Sequence, residues 1–186
     1  MRLPRGDDSY AELLAVLRRG EAAVMACDTI YGFVGRVPDA EGAIRRIKGR
    51  EETKPFLQLL PDVGAVEELG LIRPEGGILD LWPGPFTFVF RRPGGGTVAC
   101  RVPEDERLRR LTADLGAPLY STSVNRAGAE SMNDPEAIEA EFGGEVALIE
   151  DSGVYAGRRP STVVDVTERP YRILRQGAGV VPEELL

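Results

Sequence analysis

Residues 45–56 read RRIKGREETKPF, so four basic side chains fall within six positions of a chain whose formal net charge is −7. Lys48 and Arg50 flank Gly49 in that stretch. Two readings fit this step. Cations near a helix C-terminus complement its dipole and its last carbonyls, which alone accounts for them. In the other reading Gly49 turns the chain, and Lys48 and Arg50 clamp an anion. Three further stretches end or begin apolar runs with hydroxyls or lone cations. STSVN offers Ser123 and Asn125, RRPSTVVDV offers Ser161 and Thr162 after two arginines, and ILRQGAG offers Arg175 before Gly177. Each has a plain structural alternative, as a polar turn or a solvated edge arginine. Together they describe a site that holds phosphates and carboxylates by point charges and hydrogen bonds.

The sequence contains no histidine. That removes Ser-His-Asp and Cys-His catalysis and His-ligated metal sites. Chemistry is left to lysine, arginine, carboxylates, hydroxyls, amides or the substrate's own groups. Cys27 and Cys100 lie in apolar β-like runs and read as reduced, buried thiols of a cytoplasmic protein, too few for a structural zinc. There is no Walker A sequence, and PGGG (93–96) reads as a hairpin turn. The acidic balance argues against a general nucleic-acid coat protein, but it does not describe the charge of one cleft. No apolar run approaches the ~20 residues of a spanning helix, and no basic-then-apolar leader opens the chain, so no membrane partner is expected.

Elements that could position these groups follow from periodicity. SYAELLAVLRRG predicts an amphipathic helix starting at Asp8 or Ser9 and stopping at Gly20. AAVMAC and FVGR predict strands around the DTIYG turn. DAEGAIRRIKGR predicts a helix with Asp39 as N-cap and Gly49 after its end. PFLQLLP is a strand, followed by short helices around Val63–Leu69 and Glu75–Leu81. PFTFVFRR and TVACRVP predict a hairpin pairing 86–91 with 97–102. DERLRRLTADLG is a helix and APLYST a strand. DPEAIEAEFG is a helix with Asp134 as N-cap and Pro135 first. VALIED, STVVDVT and YRILR predict closing strands. With 186 residues and no linker or repeat, the expectation is one α/β (α+β) domain, 1–186, around a large mixed sheet.

In order, CDTIYGFVGR, IKGREETKPFLQLL, LWPGPFTFVF, CRVPEDERLRRL, PLYSTSVN and STVVDVT…ILRQGA resemble the pattern of the threonylcarbamoyl-AMP synthases. This is the YrdC/TsaC-like family in its short single-domain form. The resemblance covers roughly residues 8–180 and is specific through the combination of motifs. The family's Lys-x-Arg matches Lys48 and Arg50, and its Ser-x-Asn matches Ser123 and Asn125.

The resemblance implies a three-layer fold: a twisted mixed sheet, helices on both sides and a concave, positively charged cleft. It implies an enzyme, a nucleotidyltransferase that makes threonylcarbamoyl-adenylate and pyrophosphate from L-threonine, bicarbonate and ATP. ATP is then a substrate that brings its own Mg2+, and no metal is bound by the protein itself. A partner complex would transfer the threonylcarbamoyl group to tRNA (t6A modification), with an RNA contact in the basic cleft. Thr29 and Tyr31 would form the threonine pocket. Lys48, Arg50, Arg101, Ser123, Asn125, Ser161, Thr162 and Arg175 would hold ATP, with Lys48, Arg50, Ser123 and Asn125 carrying catalysis. Two alternatives have the same fold: a non-catalytic paralogue binding double-stranded RNA, tRNA or nucleotide, and a carbamoyl-adenylate enzyme. The chain departs from the pattern at Cys27 (a threonine in the family), Val124 (alanine), Ala127 (serine) and Asp105 (near a histidine). These four positions are expected to border the pocket.

Overall fold

A computed structural model describes residues 1–49 and 55–186 of the protein. In chain order its elements are β1 (Arg2–Pro4), α1 (Asp7–Arg18), β2 (Ala23–Ala26), β3 (Tyr31–Arg36), α2 (Glu41–Lys48), β4 (Leu57–Leu59) and α3 (Ala65–Glu68). A 3-10 turn (Ile78–Leu81) leads to β5 (Phe86–Arg91), β6 (Thr97–Arg101), α4 (Glu106–Leu115), β7 (Leu119–Ser123) and α5 (Pro135–Phe142). The chain closes with β8 (Leu148–Asp151), β9 (Thr162–Asp165), β10 (Arg172–Arg175) and a second 3-10 turn (Glu183–Leu185).

Among the described residues ten strands form one sheet, in the order β1-β8-β2-β3-β7-β4-β6-β5-β9-β10. The sheet is mixed, as expected. β2 and β3, β3 and β7, and β5 and β6 are antiparallel, while β2 and β8, β4 and β6, and β5 and β9 are parallel. The expected 86–91/97–102 hairpin pairs Phe88 with Cys100 and Phe90 with Val98. The short edge strand β1, parallel to β8, was not anticipated; three residues carry no usable alternation.

Strand β2 shows how the layers form. Its four residues are all buried. Ala23 and Met25 point to one face, where they pack with Leu13 and Leu17 of α1 and Leu108 and Leu111 of α4. Val24 and Ala26 point to the other, with Ile44 and Ile47 of α2 and Ile138 and Phe142 of α5. A period of two thus sends alternate residues into two helical layers. A third cluster around Trp82, Phe86, Phe88 and Phe90 closes the β5/β6/β9 end.

Helix ends follow the sequence with two exceptions. Asp105 accepts from Leu108 N (3.2 Å) and Asp134 from Glu136 N (3.0 Å), as N-caps do. Gly49, at φ 61°, ends α2 in the left-handed conformation that favours glycine. Asp39, expected to cap α2, instead pairs with Arg36 at 2.7 Å, and Ala40 precedes the helix without a side-chain cap. Helix α1 begins at Asp7 after Gly6, and Ser9 reaches back to accept from Gly6 N (3.0 Å).

Candidate active site

On the face covered by α1 and α4, the helices stop short of one end of the sheet. Val34, Leu59, Leu119 and Met25 lie under the helices. Farther along the same strands, Gly32, Leu57, Ser121, Ser123 and Cys27 floor an open cavity of about 340 Å3. The cavity is completed by Thr29, Thr87, Arg101, Ser161 and Arg175. One pleat therefore supplies core at one end and a polar floor at the other.

The Asp28–Thr29 turn joins β2 to β3. Cys27 N donates to Ile30 O (3.0 Å) and Thr29 N to Cys27 O (2.7 Å). Asp28 is left at φ 59°, a conformation uncommon outside glycine and found most often for Asn and Asp. Arg101 fixes this turn from behind. Its guanidinium donates to Thr29 Oγ1 (3.0 Å) and to Cys27 O (2.9 Å), and lies 3.2 Å from Asp28 Oδ1. Arg101 is 2% exposed, and its Nε is buried without a partner among the described residues. Burial chiefly, against the pull of Arg101, raises the Asp28 carboxyl above its usual range.

The opposite wall is built from β9 and β10. Ser161 Oγ lies 2.8 Å from Thr87 Oγ1. Arg175 donates to Ser161 O from Nη2 (2.8 Å) and Nε (3.2 Å). The β9/β10 register slips between Ile173 and Arg175, and such a bulge re-aims a side chain. Desolvation first, and then the nearby charge of Arg101, lower the Arg175 pKa. Two guanidiniums thus face one space, which favours an anion between them. Gly177 packs so closely that a Cβ would lie 2.2 Å from Pro160 O, so the chain after β10 clamps the Ser161 backbone.

Lys48 and Asn125 sit behind the Ser123 wall and do not line the cavity. The Lys48 ammonium, on a residue 3% exposed, donates to Ser123 O (2.6 Å), Asn125 Oδ1 (2.8 Å) and Asn125 O (3.2 Å). Ser123 Oγ donates to the same Asn125 Oδ1 (2.6 Å), while Asn125 Nδ2 donates to Arg126 O and Ala129 O, both at 2.8 Å. The end of α2 is thereby tied to the loop after β7.

Of the residues singled out from sequence, Thr29, Tyr31, Arg101, Ser123, Ser161 and Arg175 share the cavity. The hydroxyl of Tyr31 is already engaged. It donates to Gly153 O (2.9 Å) and accepts from Ser152 N (2.7 Å), and the Tyr31 backbone N–H donates to Asn133 Oδ1 (2.9 Å), so neither group is left for a ligand. Thr162 is fully buried and turned away; its hydroxyl donates to Gly179 O (2.5 Å) and accepts from Gly177 N (2.9 Å). Arg50 lies outside the described residues. Of the four departures only Cys27 lines the cavity. Val124 is buried in the core with Phe33 and Phe142. Ala127 N donates to Lys48 O (2.8 Å), and Asp105 caps α4 and pairs with Arg5 (2.5 Å). Sequence reasoning missed Thr87 and Ser121. Thr87 had a signal, as the one polar residue of an alternating aromatic strand, Phe86-Thr87-Phe88-Val89-Phe90.

Among the described residues no group of three or more cysteine, aspartate or glutamate side chains is placed to hold a metal ion, and no helix is long and apolar enough to cross a membrane.

The Sua5/YciO/YrdC family model, described as telomere recombination, matches residues 15–177. A Bos taurus threonylcarbamoyl-AMP synthase is 33% identical over 90% of this chain and 67% of its own length. A putative threonylcarbamoyl-AMP synthase of Mycobacterium leprae is 30% identical over 95% of this chain and 90% of its own. Among solved structures, P. abyssi Sua5 complexed with L-threonine superposes with a TM-score of 0.83 at 24% identity, covering 95% of this chain and 57% of that one. E. coli YciO superposes at 0.82 and 24% identity, covering 100% and 98%. This chain therefore spans somewhat over half of the P. abyssi protein, and nearly all of YciO. The match across residues 15–177, on a sheet with the same fold as these structures, places the chain in the Sua5/YciO/YrdC family.

Proposed function

We propose that the protein is a threonylcarbamoyl-AMP synthase, a nucleotidyltransferase that makes threonylcarbamoyl-adenylate and pyrophosphate from L-threonine, bicarbonate and ATP. One observation carries the reading: Thr29 with Arg101, and Ser161 with Thr87 and Arg175, face each other across one cavity. The names of the bovine and mycobacterial relatives support it, as does a family structure solved with L-threonine.

Threonine's amine and bicarbonate condense to a carbamate with loss of water. A carbamate oxygen attacks the α-phosphorus of ATP, and the bond to the β,γ-pyrophosphate breaks. Negative charge grows on the phosphoryl oxygens and on the leaving group. Arg175 and the Ser161, Thr87 and Ser123 hydroxyls receive the phosphates, and Mg2+ arrives with the nucleotide as part of the substrate. Arg101, with its unpaired buried Nε, and Thr29 receive the amino-acid end. Lys48 and Asn125 hold Ser123 in place, and Arg50 belongs to the same anion clamp. No imidazole base is needed, in keeping with a chain without histidine. A partly enclosed cleft limits hydrolysis of the labile carbamate. The adenylate then passes to a complex that modifies tRNA.

The test is pyrophosphate release from ATP with threonine, serine, alanine or glycine, with bicarbonate omitted as control and the product identified by mass spectrometry. Threonine is expected to exceed serine by ~10- to 200-fold, the range one methyl gives in an apolar pocket. Release that is unchanged without amino acid or bicarbonate overturns the reading.

A further inference from the structure

Thr29 stands on a strained piece of backbone. Its N–H donates to Cys27 O (2.7 Å) across a single residue, Asp28, which lies at φ 59°. A three-residue turn with a positive central φ is rare and strained, and such a conformation persists only where its surroundings over-determine it. Part of that hold comes from β6 and the residues after it. Arg101 donates to Cys27 O and to Thr29 Oγ1, and Glu104 N donates to Asp28 Oδ2 (2.8 Å). Asp28 O, the carbonyl of the peptide that leads into Thr29, is held from elsewhere. Arg158 donates to it from Nη1 at 2.9 Å.

Arg158 belongs to the connection from β8 to β9, residues 152–161. Six strands lie between those two in the sheet, and the connection runs past the Asp28–Thr29 turn to the cavity wall at Pro160 and Ser161. It is fastened on the way. Ser152 N and Gly153 O engage the Tyr31 hydroxyl. Tyr155 N donates to Asn133 O (2.9 Å), and Asn133 Oδ1 accepts from Tyr31 N (2.9 Å). The Tyr155 ring packs on Tyr31 with centroids 5.3 Å apart, and the Arg158 guanidinium lies 4.2 Å from the centre of the Tyr155 ring. Tyr155 is thus a platform that aims an exposed arginine at the turn.

We propose that Arg158 is a positioning residue of the amino-acid subsite. By holding Asp28 O it keeps the strained turn, and with it Thr29 Oγ1, in the geometry that receives the substrate. The inference rests on the reading above, in which Thr29 and Arg101 take the amino-acid end. Thr29 Oγ1 accepts from Arg101, and for its own proton it has only a long contact to Cys27 O, at 3.4 Å. A turn held still therefore offers that proton to an acceptor on the substrate. Arg101 is buried, so its loss would disturb the core as well as the turn. Arg158 is exposed, so its loss releases the turn and leaves the core alone.

Arg158→Ala is expected to raise the KM for threonine about tenfold, as loss of one charge-assisted hydrogen bond predicts, while the KM for ATP and the melting temperature stay as they are. Arg158→Lys, which keeps a charged donor, restores most of the loss. Tyr155→Phe keeps the ring face and with it the normal KM. A second readout needs no substrate: hydrogen exchange at the Thr29 amide of the full chain is expected to be about tenfold faster in Arg158→Ala, with the amides of β7 unchanged. Thr29 exchange that ignores the substitution overturns the proposal. KM values for threonine and ATP that rise together overturn it too, since a general loosening of the cavity does that. The exchange measurement involves no turnover, so it separates the two ideas. If the unaltered protein releases pyrophosphate without regard to threonine, the synthase reading falls, while faster Thr29 exchange in Arg158→Ala still establishes the hold on the turn.

Discussion

The Lys48 ammonium reaches across from the last turn of α2 to Asn125 Oδ1, at 2.8 Å, and to Asn125 O, at 3.2 Å. Together with Ser123 O this makes Lys48 the pin that holds the Ser123–Asn125 turn against the cavity. A lysine that served only the helix dipole would be exposed, and its loss would cost ~0.3–1 kcal/mol. Lys48→Ala instead takes this donor from the part-buried Ser123 and Asn125 carbonyls, while Asn125 Oδ1 keeps the Ser123 hydroxyl, at about 1–3 kcal/mol. Because it also releases Ser123, turnover per folded molecule is expected to fall ~100- to 1000-fold, the range for losing a preorganised transition-state contact. Lys48→Arg does not rescue either effect, since a planar fork cannot reproduce three converging contacts from one nitrogen. Melting temperature and pyrophosphate release, measured on the same samples, decide it. Early melting with normal turnover would return Lys48 to a helix-end role.

Arg175 carries a guanidinium whose pKa is lowered by desolvation and by Arg101. An anion placed between the two removes that repulsion. Pyrophosphate, the product of the proposed reaction, is therefore expected to raise the melting temperature, by about 2.7 kcal/mol of stability at a hundredfold excess over its dissociation constant. Arg175→Ala abolishes that gain and raises the KM for ATP. A shift of equal size in the variant would show that pyrophosphate binds elsewhere.

How much of this was legible in the sequence varied with the physics of each element. The helix of residues 106–115 declared itself by periodicity and its Asp105 cap, that of residues 7–18 by periodicity alone, and the strands by apolar runs. Which hydroxyl faces the cavity was not legible, because it depends on register. Ser161 and Thr162 are neighbours, yet the pleat sends one into the cavity and the other to Gly179 O. Tyr31 was expected in the threonine pocket, but the Ser152–Gly153 backbone claims its hydroxyl from 121 residues away. Asp39 read as a cap because aspartate before a helix usually is one; Arg36 outcompeted the backbone for it. Each miss is a long-range or side-chain competition that local pattern does not encode.

Gly32 tests whether the cavity floor needs its depth. A Cβ there would lie 3.0 Å from Cys27 Sγ and 3.1 Å from Ser121 Oγ. Gly32→Ala is expected to raise the KM for the amino acid, with stability reduced by ~1–3 kcal/mol as for other overpacked sites. Serine should be hurt less than threonine, since it lacks the methyl that competes for the same space. Steady-state kinetics with both amino acids reads the difference, and equal losses for the two would place the amino acid away from this floor.

Cys27 gives the last prediction, on pH. Burial chiefly, opposed by Arg101 and the Ser121 hydroxyl, pushes its thiol from an ordinary 9.0 up to about 11. The folded protein then holds a proton that the unfolded chain releases above pH 9. The folded state binds more protons in that window, so stability falls as pH rises from 9 toward 11 and is unaffected below it. One such group contributes a slope of at most about 1.4 kcal/mol per pH unit. Cys27→Ser removes the titrating group and is expected to flatten the alkaline limb by that amount, while Tyr31 and Tyr120, each raised to about 12, act equally in both proteins. The same burial predicts that a thiol-specific disulfide reagent modifies Cys27 at neutral pH only at the rate of unfolding. Urea midpoints between pH 8 and 11 for the two proteins measure the slope; parallel curves would mean that Cys27 ionises without penalty, and that the cavity floor is wetter than its 2% exposure indicates.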